Sequence, residues 1–263
     1  MSLPTPVSNR LDDYLRAIDL VLPGFVQGLY VVGSAALDDW SRRSDVDALV
    51  ISEQRPGPEQ LAVLAELHTD RTRPFLDLTY LHPDDLATRP ADVPPGPFAL
   101  GGRFFAAGHG PRVAVTWHTL AEHGVTVRGP DVDRLEIHLD RDELAAWATR
   151  NLRHYWAARL ARSARLPSQF GLHALSGWEV EWTALGVARA YYTQRERAVI
   201  SKSAAGRYAV EADGSGGRIV EEALRIRSGT GRRRYLEPFG RRRDLLSFAN
   251  HLVQDATRSD PTH

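Results

Sequence analysis

The 263-residue sequence contains no cysteine. This absence excludes disulfide bonds, thiol catalysis and zinc sites that depend on cysteine ligands, and a chain without disulfides fits a cytoplasmic protein. Lysine is almost absent as well, because Lys202 is the only one and every other basic side chain apart from histidine is an arginine. Any chemistry that needs a primary ammonium group on a side chain therefore has one candidate.

The sequence also lacks an excess of charge of either sign and lacks long apolar runs. It has 33 basic and 33 acidic residues, so its overall charge attracts neither nucleic acid nor membrane surfaces. No apolar run approaches the ~20 residues that span a bilayer, and the first residues lack the basic and apolar regions of a signal peptide. We therefore expect a cytoplasmic monomer that binds neither membranes nor nucleic acid.

The first half of the sequence has the pattern of an α/β domain. Residues 9–22 predict an amphipathic helix, and a helix-like segment also lies between the last two of three short apolar runs, at 29–32, 46–51 and 75–81. This order predicts a small mixed sheet with helices on one face. The Pro- and Gly-rich residues 90–102 predict a loop that acts as a boundary or a lid, and a further helix is expected to end at Gly124.

The second half of the sequence is helical in pattern. Apolar residues recur at three- and four-residue spacing over 140–161, 178–192, 200–210, 217–228 and 241–256. We therefore predict two domains, a mixed α/β domain over residues 1–138 and an all-α helical bundle over residues 139–263.

Two features of the first domain point to phosphate chemistry. Gly33-Ser34 ends the first apolar run, and Asp45 and Asp47 open the second. Residues two apart on a strand share a face, so these carboxylates lie side by side and repel each other unless a cation lies between them. Paired carboxylates suit Mg²⁺, and a glycine allows the backbone to approach a phosphate closely.

Asp77 adds a third carboxylate in the middle of the third apolar run. On a neighbouring strand it could be either a third metal ligand or a general base that accepts a proton from an attacking hydroxyl group. The alternative is that Asp45 caps a turn while Asp47 and Asp77 are edge-strand charges facing water. The occurrence of Gly-Ser, Asp-x-Asp and a third strand carboxylate in this order favours a site for phosphoryl or nucleotidyl transfer.

The segment "GSAALDDWSRRSDVDALV" resembles the signature of the nucleotidyltransferase superfamily. Over nearly its whole length the chain also resembles the aminoglycoside nucleotidyltransferases that adenylylate streptomycin and spectinomycin. The segments that carry this narrower resemblance are "LDLTYL", "EHGVTVRGP", "ARAYYTQRERAVISKSAAGRYA" and "EALRIRSG".

The resemblance implies a role for each matching residue. Gly33 and Ser34 would hold the triphosphate of ATP, Asp45 and Asp47 would hold two Mg²⁺ ions, and Asp77 occupies the position of the catalytic base. From the helical domain, Arg189 and Lys202 would contact the phosphates, so that ATP lies between the domains. Glu179 matches an acidic position where a cationic group of the antibiotic would bind, and the adjacent Trp178 is a candidate for stacking on the antibiotic or on adenine.

The sequence departs from the family at three positions. Asp77 is one methylene shorter than the family's glutamate, which leaves the base and third-ligand roles open, and Phe170 and Leu175 stand where the family has streptomycin-contacting residues. The expected reaction is AMP transfer from Mg-ATP to an aminoglycoside hydroxyl, which would confer antibiotic resistance. The alternatives are a tRNA or protein acceptor, suggested by the arginine-rich residues 225–244, and a nucleotide-binding module without catalytic activity.

Overall fold

The computed structural model describes residues 2–70 and 72–258. Its internal contacts divide the chain into two compact units, the first ending at Asp140 and the second beginning at Arg141. This division lies close to the domain boundary expected after residue 138. The last residues of the predicted helical domain, 259–263, lie outside the described residues.

Among its described residues the first unit contains six strands and five α-helices, and the sequence motifs lie on or beside the first three strands. In chain order the elements are α1 (Thr5–Val21), β1 (Gly28–Val31), α2 (Gly33–Ala36), β2 (Val46–Ile51), α3 (Pro58–Leu67), β3 (Leu76–Leu81), α4 (Pro83–Ala87), β4 (Phe98–Leu100), β5 (Arg103–Phe105), α5 (Ala114–His123) and β6 (Val125–Arg128).

The six strands form one sheet in the order β5-β4-β3-β2-β1-β6. Only β2 and β3 pair in parallel, and all other neighbours pair antiparallel. The predicted mixed sheet is therefore confirmed. The parallel connection from β2 to β3 runs through α3, as a parallel pair requires a crossover.

Helices cover both faces of this sheet, so the expectation of helices on one face was wrong. Along β2, Val46, Ala48 and Val50 lie in the core cluster that includes residues of α1 and α3. Leu49 and Ile51 lie in a separate cluster with residues of α5. Because the strand carries apolar residues at both alternating sets of positions, both of its faces need cover.

Short elements account for the other differences from the predictions. The segment 90–102 was expected to be a loop, but it contains β4, which forms a hairpin with β5. Strand β6 follows directly after Gly124, which ends α5 as expected. Strands of three or four residues carry too little periodicity to be recognised in a sequence.

The second unit consists of helices, as the predicted helical bundle requires. They are α6 (Arg141–Arg150), α7 (Ala157–Ser163), α8 (Gln169–His173), α9 (Gly177–Glu196), α10 (Lys202–Asp213), α11 (Gly217–Ser228) and α12 (Pro238–Arg258), with a π-helical segment (Asn151–Trp156) between α6 and α7.

Helix α9 is the centre of the second unit, where it contacts α6, α10, α11 and α12. Its side chains Leu185 and Ala188 are fully buried, and Ser176 caps its first turn by accepting a hydrogen bond from the Glu179 backbone N–H (3.1 Å). No helix within the described ranges is both long and apolar enough to cross a lipid bilayer.

Candidate active site

The structure brings Asp45, Asp47 and Asp77 together at one end of the parallel strand pair. Asp47 and Asp77 are direct Cα partners in the register of β2 and β3, and Asp45 precedes Asp47 by two positions. The residues that precede them on the strands, Val46 and Leu76, pack in the core cluster that includes α1 and α3. Because successive side chains on a strand point to opposite faces, the carboxyl groups of Asp47 and Asp77 project from the other face of the sheet.

Gly33 packs so closely against Asp47 that a Cβ atom at this position would overlap the Asp47 side chain. Its φ of +63° lies in the left-handed region, and an added Cβ would lie 2.7 Å from Cγ of Asp47. The backbone bond from the Val32 N–H to the Asp47 carbonyl (2.9 Å) fixes this approach. The predicted phosphate turn, with Ser34 half-buried, therefore lies directly beside the predicted metal ligands.

Burial and neighbouring charge perturb the acid–base chemistry of Asp77. It is only 8% exposed, and burial together with the negative charge of Asp47 raises its pKa to about 7. The Gly101 N–H donates to its Oδ1 (2.7 Å) and acts in the opposite direction, while Asp45 adds a smaller upward effect. A carboxyl group with this pKa can exchange a proton near neutral pH.

The donor set fits Mg²⁺ better than a metal that requires a complete protein cage. Carboxylates of Asp45 and Asp47 are hard oxygen ligands, and Mg²⁺ commonly takes one or two of them and completes its coordination with water and phosphate oxygens. Over residues 2–70 and 72–258, no group of three or more His, Asp or Glu side chains has the arrangement of a metal site. Asp45 and Asp47 remain the predicted metal ligands, and a metal-binding role of Asp77 stays a prediction.

Two contacts at this site were missed by the sequence analysis. One is the Gly101 N–H, a backbone donor that no side-chain pattern can reveal. The other is Arg73, whose Nη1 lies 3.6 Å from Oδ1 of Asp45 and whose guanidinium lies over the ring of Phe75. An arginine three residues before β3 was a visible signal, since a carboxylate cluster requires nearby positive charge.

The second unit contains the other predicted site residues. Arg189 lies within α9, Lys202 is the first residue of α10, and both are half-buried. A cation at a helix N-terminus opposes the helix dipole, so the position of Lys202 requires an offsetting interaction. Trp178 remains 44% exposed and stacks on Trp182 with ring centroids 5.6 Å apart.

Glu179 is paired within the chain and does not lie open at the surface. Its side chain is 2% exposed, and Arg159 donates to both carboxylate oxygens, from Nε (3.0 Å) and Nη2 (2.6 Å). Thr183 donates to Oε1 (2.8 Å), and the guanidinium of Arg159 lies 4.3 Å from the ring centroid of Trp182. A cation from a ligand would therefore compete with an internal guanidinium for this carboxylate.

The arginine-rich segment 225–244 is largely committed to intramolecular contacts. The buried Glu222 accepts both a bidentate pair from Arg225 (2.9 Å each) and the backbone N–H of Arg234 (2.9 Å). Other arginines of the segment contact carboxylates or backbone carbonyls, namely Arg227, Arg241, Arg242 and Arg243. These contacts favour a structural role for the segment over nucleic-acid binding.

Comparison with known proteins agrees with this geometry. The family model of the nucleotidyltransferase domain matches residues 11–93, the range that contains Gly33, Asp45, Asp47 and Asp77. A search of curated protein sequences finds no match.

Among solved structures, the chain is similar to the spectinomycin adenyltransferase AAD(9) from Enterococcus faecialis, crystallised with ATP and spectinomycin. The TM-score is 0.69 at 14% sequence identity, and the match covers 95% of this chain and 99% of that one. At this identity the likeness establishes a shared fold. The predicted nucleotidyltransferase domain is confirmed for residues 11–93, which lie in the first unit.

Proposed function

We propose that this protein transfers AMP from Mg-ATP to a hydroxyl group of an aminoglycoside-type acceptor and releases pyrophosphate. The observation that carries this proposal is the convergence of Asp45, Asp47 and Asp77 beside the Gly33 turn. The nucleotidyltransferase domain supports the type of reaction. The fold shared with an enzyme crystallised with ATP and spectinomycin supports the two small-molecule substrates.

Asp45 and Asp47 would hold Mg²⁺, for which we propose two ions. Bound there, the metal would neutralise phosphate charge and polarise the phosphorus–oxygen bonds of ATP. Gly33 and Ser34 would contribute backbone N–H groups and a hydroxyl group to the triphosphate. Their position directly against Asp47 supports a common binding site for phosphate and metal.

We propose that Asp77 acts as the general base. The acceptor hydroxyl attacks the α-phosphorus and forms a new oxygen–phosphorus bond, the bond to pyrophosphate breaks, and the hydroxyl proton passes to Asp77. A pKa raised to about 7 by burial and by Asp47 suits this role, because a base works best near the operating pH.

Arg189 and Lys202 would neutralise the charge that develops on pyrophosphate. Both roles follow from the family resemblance of the segment that contains them.

On the acceptor side we propose contacts with Trp178 and Glu179. The exposed ring of Trp178 can stack on a sugar or aminocyclitol face. The pairing of Glu179 with Arg159 means that a cationic group of the acceptor reaches this carboxylate only by sharing or displacing the guanidinium. The Arg159–Glu179 pair therefore favours acceptors that need no cationic group beside Glu179.

An acceptor panel tests the proposal directly. The purified protein is incubated with Mg²⁺ and α-labelled ATP in separate reactions with spectinomycin, streptomycin, total tRNA and a cell extract. We expect label in an aminoglycoside-type product and stoichiometric pyrophosphate. Label only in tRNA or protein would contradict the acceptor class, and ATP binding without pyrophosphate release in any reaction would contradict catalysis altogether.

A further inference from the structure

The hairpin of β4 and β5 lies on the outer side of β3 and ends in a turn of two glycines. Leu100 pairs directly with Arg103, so Gly101 and Gly102 form a two-residue loop. Their φ angles are +56° and +71°, as expected for a type I′ turn, in which both central residues have positive φ. Neither loop residue has a strand residue opposite it, so the Gly101 N–H is available for a bond outside the hairpin.

That N–H points at the Asp77 carboxyl group. The Gly101 nitrogen lies 2.7 Å from Oδ1 of Asp77, across a sequence separation of 24 residues. Because Asp77 is almost fully buried, few other groups can compete for this oxygen. A short bond from a backbone donor to a buried carboxylate is strong and directional.

The hairpin that presents this donor is itself held firmly. Arg112 is 2% exposed and donates from Nη2 to the carbonyls of Tyr80 (2.6 Å) in β3 and of Pro97 (3.2 Å) just before β4. Across the hairpin the rings of Phe98 and Phe105 stack with centroids 4.7 Å apart. The turn is therefore fixed relative to the strand that bears Asp77.

We propose that Gly101 is a positioning residue, whose N–H anchors Oδ1 of Asp77 and leaves Oδ2 as the oxygen that accepts the proton of the acceptor hydroxyl. The inference rests on the proposed function, because it assigns a task to the base of that reaction. Correct placement matters because small displacements of a catalytic group reduce rates steeply.

The kinetic test removes the N–H and restores it. An ester in place of the Leu100–Gly101 amide deletes the donor and keeps glycine at its positive φ, which proline could not adopt. Gly101→Asn keeps both the donor and the turn, since asparagine tolerates positive φ and an added Cβ meets no atom within 4 Å. An ester in place of the Pro23–Gly24 amide is the control, because Gly24 also has positive φ and open surroundings. Gly24 precedes β1. The start of β1 pairs with the end of β2 that is remote from Asp47.

We expect kcat for AMP transfer to fall by roughly 10–100-fold in the protein with the Leu100–Gly101 ester, as when a supporting hydrogen bond is lost, with the KM for ATP nearly unchanged. Gly101→Asn and the protein with the Pro23–Gly24 ester should retain kcat close to that of the wild type. Wild-type kcat in the variant that lacks the N–H would overturn the proposal.

A second readout needs no activity and therefore separates this inference from the proposed function. In protein labelled with ¹⁵N-glycine, the Gly101 amide should be protected from hydrogen exchange, and Asp77→Ala should remove that protection while leaving other glycine amides unchanged. A Gly101 amide that exchanges equally in both proteins would overturn the contact. If the contact is present but no acceptor is adenylylated by the wild type, the proposed function fails on its own.

Discussion

At the scale of single residues, Asp77 and Gly33 show how the local environment creates chemistry. Two neighbouring acids and burial keep the pKa of Asp77 near neutrality, although an exposed aspartate ionises near pH 4. Gly33 contributes by having no side chain, which allows the backbone to touch the Asp47 carboxyl group. Both effects depend on Asp47, which lies on β2 and is distant in the sequence from Gly33 and Asp77.

Gly33→Ala should damage both the fold of the turn and the site. A left-handed φ costs alanine roughly 1–2 kcal/mol, and its Cβ would overlap the Asp47 carboxyl group, so we expect AMP transfer to fall by about 100-fold or more. Gly24→Ala is the matched control, because Gly24 has φ +73° with no atom near an added Cβ. Equal activity losses in the two variants would contradict a specific role for Gly33.

His68 gives a stability prediction at the same scale. It is 9% exposed, its Nε2 lies 2.8 Å from the hydroxyl oxygen of Tyr80, and its ring stacks on Phe104. Burial, with a smaller contribution from Arg10, lowers its pKa to about 4. In the unfolded chain the pKa is about 6.5, so the unfolded state binds a proton first and stability falls as pH drops from 6.5 towards 4.

We therefore expect the wild type to lose about 2 kcal/mol of unfolding free energy between pH 7.5 and pH 5 relative to His68→Gln. Glutamine can keep a hydrogen bond to Tyr80 but does not titrate. Urea unfolding of both proteins at the two pH values measures this difference. A constant difference across the pH range would show that His68 is not held neutral by the fold.

At the scale of elements, the sequence predicted the long, periodic helices and the three apolar strands, but not the short elements. Strands β4 and β5 have three residues each, and their only sequence signal was Gly101-Gly102, a pair typical of hairpin turns. The candidate ligands Asp45 and Asp47 could be predicted because strand alternation places them on one face. The Gly101 donor could not, because its position depends on how a distant hairpin docks.

The buried pair of Arg159 and Glu179 links α7 to α9 and gives a prediction at the scale of elements. Arg159→Met removes the guanidinium from the 2% exposed Glu179 carboxylate and leaves Thr183 and His173 as side-chain partners. This change should destabilise the protein by roughly 3–5 kcal/mol. Arg243→Met, which breaks an exposed pair with Asp244, should cost less than about 1 kcal/mol. Thermal unfolding of both variants measures the two losses of stability. Equal losses would show that the buried pair contributes no more to stability than the exposed pair.

At the scale of the whole molecule, each of the two units supplies part of the proposed reaction. The first carries the carboxylates and the phosphate turn, and the second carries Arg189, Lys202 and the aromatic surface of Trp178. The sequence changes from apolar alternation to helical periodicity near residue 140, where the two units also divide. The acceptor could not be predicted, because its recognition depends on a few side chains such as Glu179, whose pairing only the structure shows.

The most direct measurement of the central claim compares Asp47→Asn with Asp38→Asn in Mg-dependent AMP transfer to spectinomycin and streptomycin. Asp38 is exposed and has positive φ, a conformation that asparagine tolerates, so this control removes a nearby carboxylate without touching the site. The account predicts that Asp38→Asn retains AMP transfer and that Asp47→Asn loses it while unfolding at a similar temperature. AMP transfer at the wild-type rate by a folded Asp47→Asn protein would contradict the account.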